Sequence, residues 1–173
     1  MDGPKRRIYL DTSVPRALFD EDKPDRPDLK YMKETTWRFW ERCKMGEYEI
    51  FISPVLVSEI AQAPEEIQES VIAEMGKIQI HALPGSDEAE KLAMEYIAKA
   101  IGEAQENDRR HLAYATVYEC GTLVSWNFNH IVRKKTYSGA REVNMNNRYK
   151  VITVESPDIL MGERIVPWLP PAK

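Results

Sequence analysis

The 173-residue chain lacks the features that mark several common classes of protein. Its two cysteines, Cys43 and Cys120, stand in no CxxC or CxxH spacing, which excludes a zinc ribbon, a thioredoxin-type motif and a disulfide framework. No apolar run approaches the roughly 18 residues of a membrane span, and residues 1–7 reach strand-like sequence too soon for a signal peptide. The eight glycines form no GxGxxG or Walker pattern. These absences predict a cytoplasmic protein without a membrane segment or a Gly-rich phosphate loop.

The net charge of −4 hides a separation of charge along the chain. Residues 59–106 hold 3 Lys and Arg against 11 Asp and Glu, whereas residues 130–150 hold 6 against 1. The overall balance argues against a non-specific basic nucleic-acid binder. The basic stretch, which includes Arg133, Lys134 and Lys135, predicts either a surface for a phosphate backbone or a solvated polar face.

The pattern of hydrophobic residues predicts one domain with an α/β fold. Five short β-branched or aliphatic runs are predicted strands and cover residues 7–10, 49–53, 78–81, 122–125 and 150–154. Between them, helices are predicted over residues 30–45, from Pro64, and along an apolar stripe from Ala89 to Ile101. Strands that alternate with helices predict a mostly parallel sheet covered on both faces. We expect the core at about residues 7–155 and a C-terminal tail at 156–173.

Polar residues follow two of the predicted strands, at the edge where an open α/β sheet binds its ligands. Asp11, Thr12 and Ser13 come directly after the first strand, where Asp11 either binds a metal ion or caps a short helix. Glu59 lies one to two turns into the helix that begins near Pro54. Its carboxylate either leans back over the strand ends or points to solvent.

Two later segments bring further polar residues to the same edge. Asp108 is predicted at the N-terminus of a helix that packs closely on the sheet, where a helix cap is the simpler role. His111, one turn later, orients that carboxylate, contacts phosphate or is a hydrogen-bonded core histidine. The fourth strand ends at Ser125, and Asn127 follows.

The three acids and the amide are therefore predicted to converge. Clustered carboxylates repel one another, so the usual reason for such a cluster is a bound divalent ion. Because the ligands are oxygens and no Cys/His set exists, the predicted ion is Mg²⁺ or Mn²⁺ and not zinc.

Four segments in this order resemble the PIN domain family, which includes the VapC-like toxins of type II toxin–antitoxin pairs. They are LDTS (10–13), SPVLVSEI (53–60), NDRRHLAYA (107–115) and LVSWNFNHI (123–131), and the resemblance extends from residue 8 to about 154. It implies a single PIN-like domain over residues 1–173, built as a three-layer sandwich with a five-stranded parallel sheet between helices. It also implies a metal-dependent endoribonuclease with RNA as substrate.

The resemblance also assigns roles to individual residues. The implied catalytic residues are Asp11, Glu59, Asp108 and Asn127, with Asp11 and Asp108 as the ligands of Mg²⁺ or Mn²⁺. The implied supporting residues are Thr12, Ser13, Ser125, Asn129 and His111, and RNA binding falls to Arg133, Lys134 and Lys135. Asn127 departs from the commonest pattern, which has a fourth acid there. Its amide oxygen can still ligate a metal ion or hold a coordinated water, but with one charge fewer the site should bind metal more weakly.

Two other functions stay open at this point. One is a PIN-like module that binds RNA or a protein without cutting, and the other is a flavodoxin-like binder of a nucleotide, which the missing Gly-rich loop disfavours. The toxin analogy implies a small antitoxin and a homodimer, with residues 31–45 as the expected contact. Trp37 and Trp40 in that stretch are alternatively core residues or stacking platforms for bases.

Overall fold

The computed structural model describes residues 3–103 and 105–163 of the chain. These residues form five strands and eight helices. The strands are β1 (Arg6–Leu10), β2 (Tyr48–Ile52), β3 (Ile80–Ala82), β4 (Thr122–Val124) and β5 (Thr153–Glu155). The helices are α1 (Ser13–Ala17), α2 (Pro27–Lys44), α3 (Pro54–Ala61), α4 (Glu65–Met75), α5 (Asp87–Glu95), α6 (Glu106–Val117), α7 (Lys134–Asn146) and α8 (Pro157–Leu160). Every predicted strand is present, with bounds within three residues of the prediction.

The five strands make one parallel sheet in the order β3-β2-β1-β4-β5. Tyr9 in the central strand β1 is opposite Phe51 on one side and Leu123 on the other. The chain moves outward from β1 to β3 and then returns to the other side of β1 for β4 and β5. The strand order thus reverses at β1, and in sheets of this kind ligands bind beyond the carboxyl ends of the strands at that reversal.

Both faces of the sheet are covered by helices, which confirms the predicted α/β sandwich. Ile8 and Leu10 of β1 belong to a core shared with α1, α2, α4 and α8. Tyr9, which points to the opposite face, belongs to a core shared with α5, α6 and α7. A strand buried on both faces explains why the strand sequences show little polar alternation.

The helix predicted to run through Ile101 is shorter in the structure. α5 ends at Glu95, and residues 96–101 form turns in which the Tyr96 carbonyl accepts the amides of Ala100 and Ile101 at 2.9 and 3.1 Å. Tyr96, Ala100 and Ile101 are nevertheless buried. The apolar stripe therefore predicted which residues enter the core, but not the backbone conformation that takes them there.

The chain beyond β5 also contributes to the core. In α8, Asp158 is fully buried and accepts a hydrogen bond from the Tyr31 hydroxyl at 3.0 Å, and Leu160 and Met161 pack in the core. The core thus extends past the predicted limit of about residue 155, whereas residues 164–173 of the predicted tail lie outside the described residues. In the described ranges, no helix combines the length and apolar character needed to cross a membrane.

Candidate functional site

Asp11 stands directly after β1, at the reversal of strand order, and only 3% of it is exposed. Its Oδ1 accepts hydrogen bonds from the backbone N–H of Ser13 at 3.1 Å and from the Ser13 hydroxyl, and its Oδ2 accepts one from the Ser125 hydroxyl at 2.6 Å. These bonds hold the start of α1, as a cap would. They occupy three of the roughly four acceptor positions of a carboxylate and leave room for one more contact.

The ends of β1 and β4 are joined through the same two serines. The Ser13 hydroxyl oxygen accepts the backbone N–H of Trp126 at 2.9 Å, and the Ser125 hydroxyl oxygen accepts that of Asn127 at 2.9 Å. Ser13 and Ser125 therefore each contact both the Asp11 carboxylate and the backbone of a residue that follows β4. They fix the Asp11 carboxylate relative to the residues that follow β4.

Asn127 presents its amide nitrogen, not its oxygen, to the acidic cluster. Its Nδ2 donates to Asp108 Oδ1 at 3.1 Å, while its Oδ1 accepts the backbone N–H of His130 at 3.0 Å. A backbone N–H requires an acceptor, and this fixes the orientation of the amide. The amide oxygen has a second lone pair, so Asn127 supports Asp108 through its nitrogen and can still take one more contact through its oxygen.

Asp108 lies in the first turn of α6 and is the second carboxylate of the cluster. Burial raises its pKa, and the Glu59 charge adds to that effect, while His111, His130 and Asn127 oppose it. Burial likewise raises the pKa of Asp11, with a contribution from Asp108 and opposition from His111 and the two serines. In both groups burial disfavours the charged form more strongly than His111 and the hydrogen bonds favour it, so each resists ionisation. Asp108 Oδ2 accepts no hydrogen bond from the described residues.

Glu59 leans back over the strand ends and does not point to solvent. Its Oε1 accepts hydrogen bonds from the Thr12 hydroxyl at 2.7 Å and from His111 Nε2 at 2.6 Å. Burial alone would raise the pKa of Glu59, but the hydrogen bond and charge of His111, together with Thr12, outweigh it and hold that pKa below its usual value. Glu59 is thus an ionised partner of His111 at neutral pH.

His111 is a buried histidine with both ring nitrogens engaged. Its Nδ1 lies 2.6 Å from the Tyr9 hydroxyl, which in turn lies 2.6 Å from the Ser53 hydroxyl at the start of α3. Burial raises the pKa of Tyr9 well above its ordinary value, so its hydroxyl stays protonated. His111 therefore orients Glu59, not Asp108, and is too buried to contact a phosphate.

Sequence reasoning missed Tyr9 and Ser53 as members of this network. Tyr9 sits inside a strand two residues before Asp11, where it reads as a core aromatic residue, and Ser53 reads as a helix cap. Ser53 does cap α3, because its oxygen accepts the Val55 amide at 3.2 Å. The only sequence signal was that both residues lie at or near the carboxyl ends of neighbouring strands.

Among the described residues, those predicted around α7 form no hydrogen bond or ion pair with the three acids. Asn129 is exposed, and its side chain makes no hydrogen bond within the described part of the chain, although its carbonyl accepts Arg133 Nη1 at 2.6 Å. Lys134 and Lys135 are exposed at the start of α7, and no carboxylate of residues 3–103 or 105–163 lies within salt-bridge distance of either.

The donor set fits a hard divalent cation held by few protein ligands. Among the described residues, no three His, Cys, Asp or Glu side chains form a metal-binding group. Asp11 and Asp108 form no ion pair within the described part of the chain, and each retains acceptor capacity. Glu59 Oε2 also retains acceptor capacity, but that carboxylate is paired with His111. Mg²⁺ is commonly bound by one or two carboxylates together with water and substrate phosphates, so Asp11 and Asp108 fit Mg²⁺ or Mn²⁺.

Comparison with known proteins adds no assignment. A scan of protein-family models finds no match to the chain, and a search of curated proteins finds no matching sequence. The chemistry of the site therefore has to be inferred from its own residues and contacts.

Proposed function

We propose that this chain is a metal-dependent endoribonuclease of PIN type that hydrolyses phosphodiester bonds in RNA. The observation that carries the proposal is that Asp11, which is buried, and Asp108, which is half-buried, are linked through Ser125 and Asn127 at the reversal of strand order. The pKa of each is raised, with burial as the largest cause, so the fold holds both carboxyl groups where the ionised form is disfavoured. Ionising such a pair destabilises the fold, and a bound divalent ion would offset that destabilisation. The four PIN-like sequence segments support the same function.

Each side chain of the cluster has a distinct role in this proposal. Asp11, fixed by Ser13 and Ser125, and Asp108, fixed by Asn127, would hold Mg²⁺ or Mn²⁺. When bound, such an ion neutralises charge on the phosphate and lowers the pKa of water. Glu59 is ionised and held by His111 and Thr12, and we assign it to accept a proton from the attacking water.

The basic residues at the start of α7 are proposed to guide RNA to the acids. Lys134 and Lys135 are exposed without an acidic partner among the described residues, and Arg133 is anchored to the Asn129 carbonyl. An acidic cluster repels phosphate unless a cation is bound, so nearby unpaired lysines supply the attraction.

The test is cleavage of a mixed pool of structured and single-stranded RNA in Mg²⁺, Mn²⁺ or EDTA. We expect cutting by the purified protein in either metal and none in EDTA. Asp11→Asn should lower the rate at least about a hundredfold, because it removes a charged ligand of the ion. Asp25→Asn, at an exposed position, is the matched control and should cut as wild type does. Cutting that survives EDTA, or that Asp11→Asn leaves unchanged, would refute the proposal.

A PIN-like binding module is the second candidate, and Asn127 is the observation in its favour. Its amide donates to Asp108 where the commonest family pattern has a fourth acid, and no three His, Cys, Asp or Glu side chains of the described residues form a metal-binding group. This candidate predicts that wild type and Asp11→Asn are equally inert while the protein still binds RNA or a partner.

We further propose that the protein is the toxin of a cytoplasmic toxin–antitoxin pair and forms a homodimer. The family resemblance supports the toxin role, and the free, buried thiols of Cys43 and Cys120 suit a reducing compartment. Co-expression with the product of a neighbouring short reading frame tests the antitoxin. Co-purification with loss of RNA cleavage is expected, and a product that neither binds nor inhibits would contradict the toxin role.

A further inference from the structure

A cleft beside the acidic cluster contains a histidine that the proposed mechanism does not use. The cleft has a volume of about 420 Å³ and is lined by Gln105, Glu106, Asn107, Asp108 and His130. Four of these residues come from the start of α6, and His130 faces them from the segment after β4. A cleft of this volume is large enough for part of a nucleotide.

The backbone of His130 is held at both of its polar atoms. Its N–H donates to Asn127 Oδ1 at 3.0 Å, and its carbonyl accepts a hydrogen bond from the buried hydroxyl of Thr136. Asn127 in turn donates to Asp108. The position of His130 is therefore tied to the carboxylate proposed to bind metal.

The imidazole of His130, in contrast, has no polar partner among the described residues. It is half-buried, and it makes no hydrogen bond or ion pair with any described residue. Its charge nevertheless acts on Asp108, whose pKa it lowers against the larger effect of burial. By comparison, His111 uses both ring nitrogens within the protein, whereas the His130 ring is left to water or to a ligand in the cleft.

Acidic residues lie across the cleft from His130, and basic residues follow it in the sequence. Asp108 and Glu106 lie on the α6 side of the cleft, and Arg133, Lys134 and Lys135 begin three residues after His130. A ring N–H is a suitable donor to an anionic phosphate oxygen.

We propose that His130 contacts the RNA substrate and donates a hydrogen bond from its ring to a non-bridging phosphate oxygen beside Asp108. This role rests on the proposed nuclease function. It assigns the cleft to one nucleotide phosphate and separates two tasks: Asp11 and Asp108 hold the metal ion, and His130 holds the strand.

The test compares His130→Ala and His130→Gln with wild type. The dissociation constant for a labelled single-stranded RNA is measured in EDTA, where cutting stops, and KM and kcat are measured in Mg²⁺. We expect His130→Ala to weaken binding and to raise KM about tenfold, as loss of a hydrogen bond to a charged group would. His130→Gln retains a donor and should recover part of the loss. Mn²⁺ affinity, measured by calorimetry, should stay within twofold of wild type.

His81→Ala is the matched control, because His81 is also partly exposed but lines a different cavity with Lys5, Arg7 and Glu49. RNA binding by His130→Ala within twofold of wild type would overturn the proposal. A tenfold loss of Mn²⁺ affinity would also overturn it, since the ring would then be a metal ligand. If wild type binds RNA without cutting, the nuclease function fails while the dissociation constants still decide the role of His130. If wild type binds no RNA in EDTA but cuts it in Mg²⁺, the KM values decide the role of His130; if wild type neither binds nor cuts RNA, both proposals fail.

Discussion

Asn127 decides how many negative charges the cluster carries. Its amide neutralises part of the Asp108 charge with a hydrogen bond of 3.1 Å, and its oxygen is held by the His130 backbone. An acid at this position would still accept the His130 N–H but would oppose Asp108. The amide therefore favours the metal-free fold at the expense of metal affinity.

Asn127→Asp should reverse that balance. The substitution removes a hydrogen bond to a charged group and adds a repelling carboxylate, so the metal-free protein should lose about 1.5–3 kcal/mol of unfolding free energy. With a third carboxylate available, Mn²⁺ affinity should rise about tenfold or more. Urea unfolding in EDTA and calorimetric titration with Mn²⁺ measure the two effects.

Asn129→Asp is the control for Asn127→Asp, because Asn129 is exposed two residues away. It should change the unfolding free energy by less than about 0.5 kcal/mol, as surface substitutions usually do. If Asn127→Asp left both the unfolding free energy and Mn²⁺ affinity unchanged, Asn127 would not belong to the cluster.

The positions of the acids were predictable from sequence, but their partners were not. Asp11 and Asp108 were located by the rule that ligands bind at the carboxyl ends of parallel strands. Glu59 was found as well, but its pairing with His111 depends on side-chain directions from two helices packed on the same sheet. Tyr9 belongs to the network because β1 directs its side chain toward the face of the sheet that α6 covers. Contacts between distant parts of the chain leave no local pattern.

At the scale of secondary-structure elements, α7 is packed closely on the turns that follow α5. A Cβ atom added to Gly139 would overlap the backbone carbonyl of Lys99 and lie 3.0 Å from the Ala100 Cα. These turns stand where the sequence predicted the end of the helix. The backbone of the turns packs against Gly139, and the Arg109 guanidinium donates hydrogen bonds to the Gly102 and Glu103 carbonyls. The apolar periodicity of one segment carries no information about its contact with a distant helix.

Gly139→Ala should therefore displace α7 and destabilise the fold. The overlap is with backbone, which cannot move aside as a flexible side chain would, so we expect a loss of about 1–3 kcal/mol or more. Urea unfolding gives the value. Gly121→Ala is the control, because its Cβ would meet only the Arg7 carbonyl at 3.7 Å. Equal stability of the two variants would contradict the packing of α7.

The two tryptophans of α2 differ in burial. Trp40 is fully buried and donates to the Glu74 carbonyl at 3.4 Å, whereas Trp37 is half-buried and packs edge-to-face on Phe19 at 6.2 Å between ring centres. Trp40 is thus a core residue, and only Trp37 retains surface for the proposed homodimer or antitoxin contact.

Trp40→Ala should cost about 3–5 kcal/mol of unfolding free energy, because it opens a large cavity. Trp37→Ala should cost no more than about 2 kcal/mol, since its side chain is partly in water already. If residues 31–45 form the homodimer contact, Trp37→Ala should shift the protein toward monomer in light scattering. An unchanged assembly in a folded Trp37→Ala protein would exclude this face of α2 as the contact.

For the molecule as a whole, the acidic cluster makes stability depend on both pH and metal. Burial raises the pKa of Asp11 and Asp108 above the ordinary value of 3.8. Both groups are protonated below that value in either state, and stability is lost as pH rises through the raised pKa values of the fold. Glu59 acts in the opposite direction: its pKa is lowered, so its contribution is present above 4.5 and lost as pH falls through the lowered value.

Asp108→Asn isolates one of these contributions. In EDTA, its Tm relative to wild type should rise between pH 4 and pH 7, because only wild type has to ionise Asp108 in the fold. Excess Mn²⁺ at pH 7 should then reverse the order, since the ion stabilises wild type by about 2.7 kcal/mol at a hundredfold excess over Kd. That gain should shrink toward pH 4, where protons compete with the ion for the carboxylates. Thermal melts across this range, with and without Mn²⁺, measure all three trends.

Asp25→Asn controls for the loss of a negative charge as such, because Asp25 is exposed. Its Tm should follow wild type at every pH and should rise equally with Mn²⁺. If Mn²⁺ raised the Tm of Asp108→Asn as much as that of wild type, the ion would bind elsewhere on the protein. The raised pKa values would then reflect burial of two carboxyl groups that the fold tolerates, and the binding module would become the better explanation of the site.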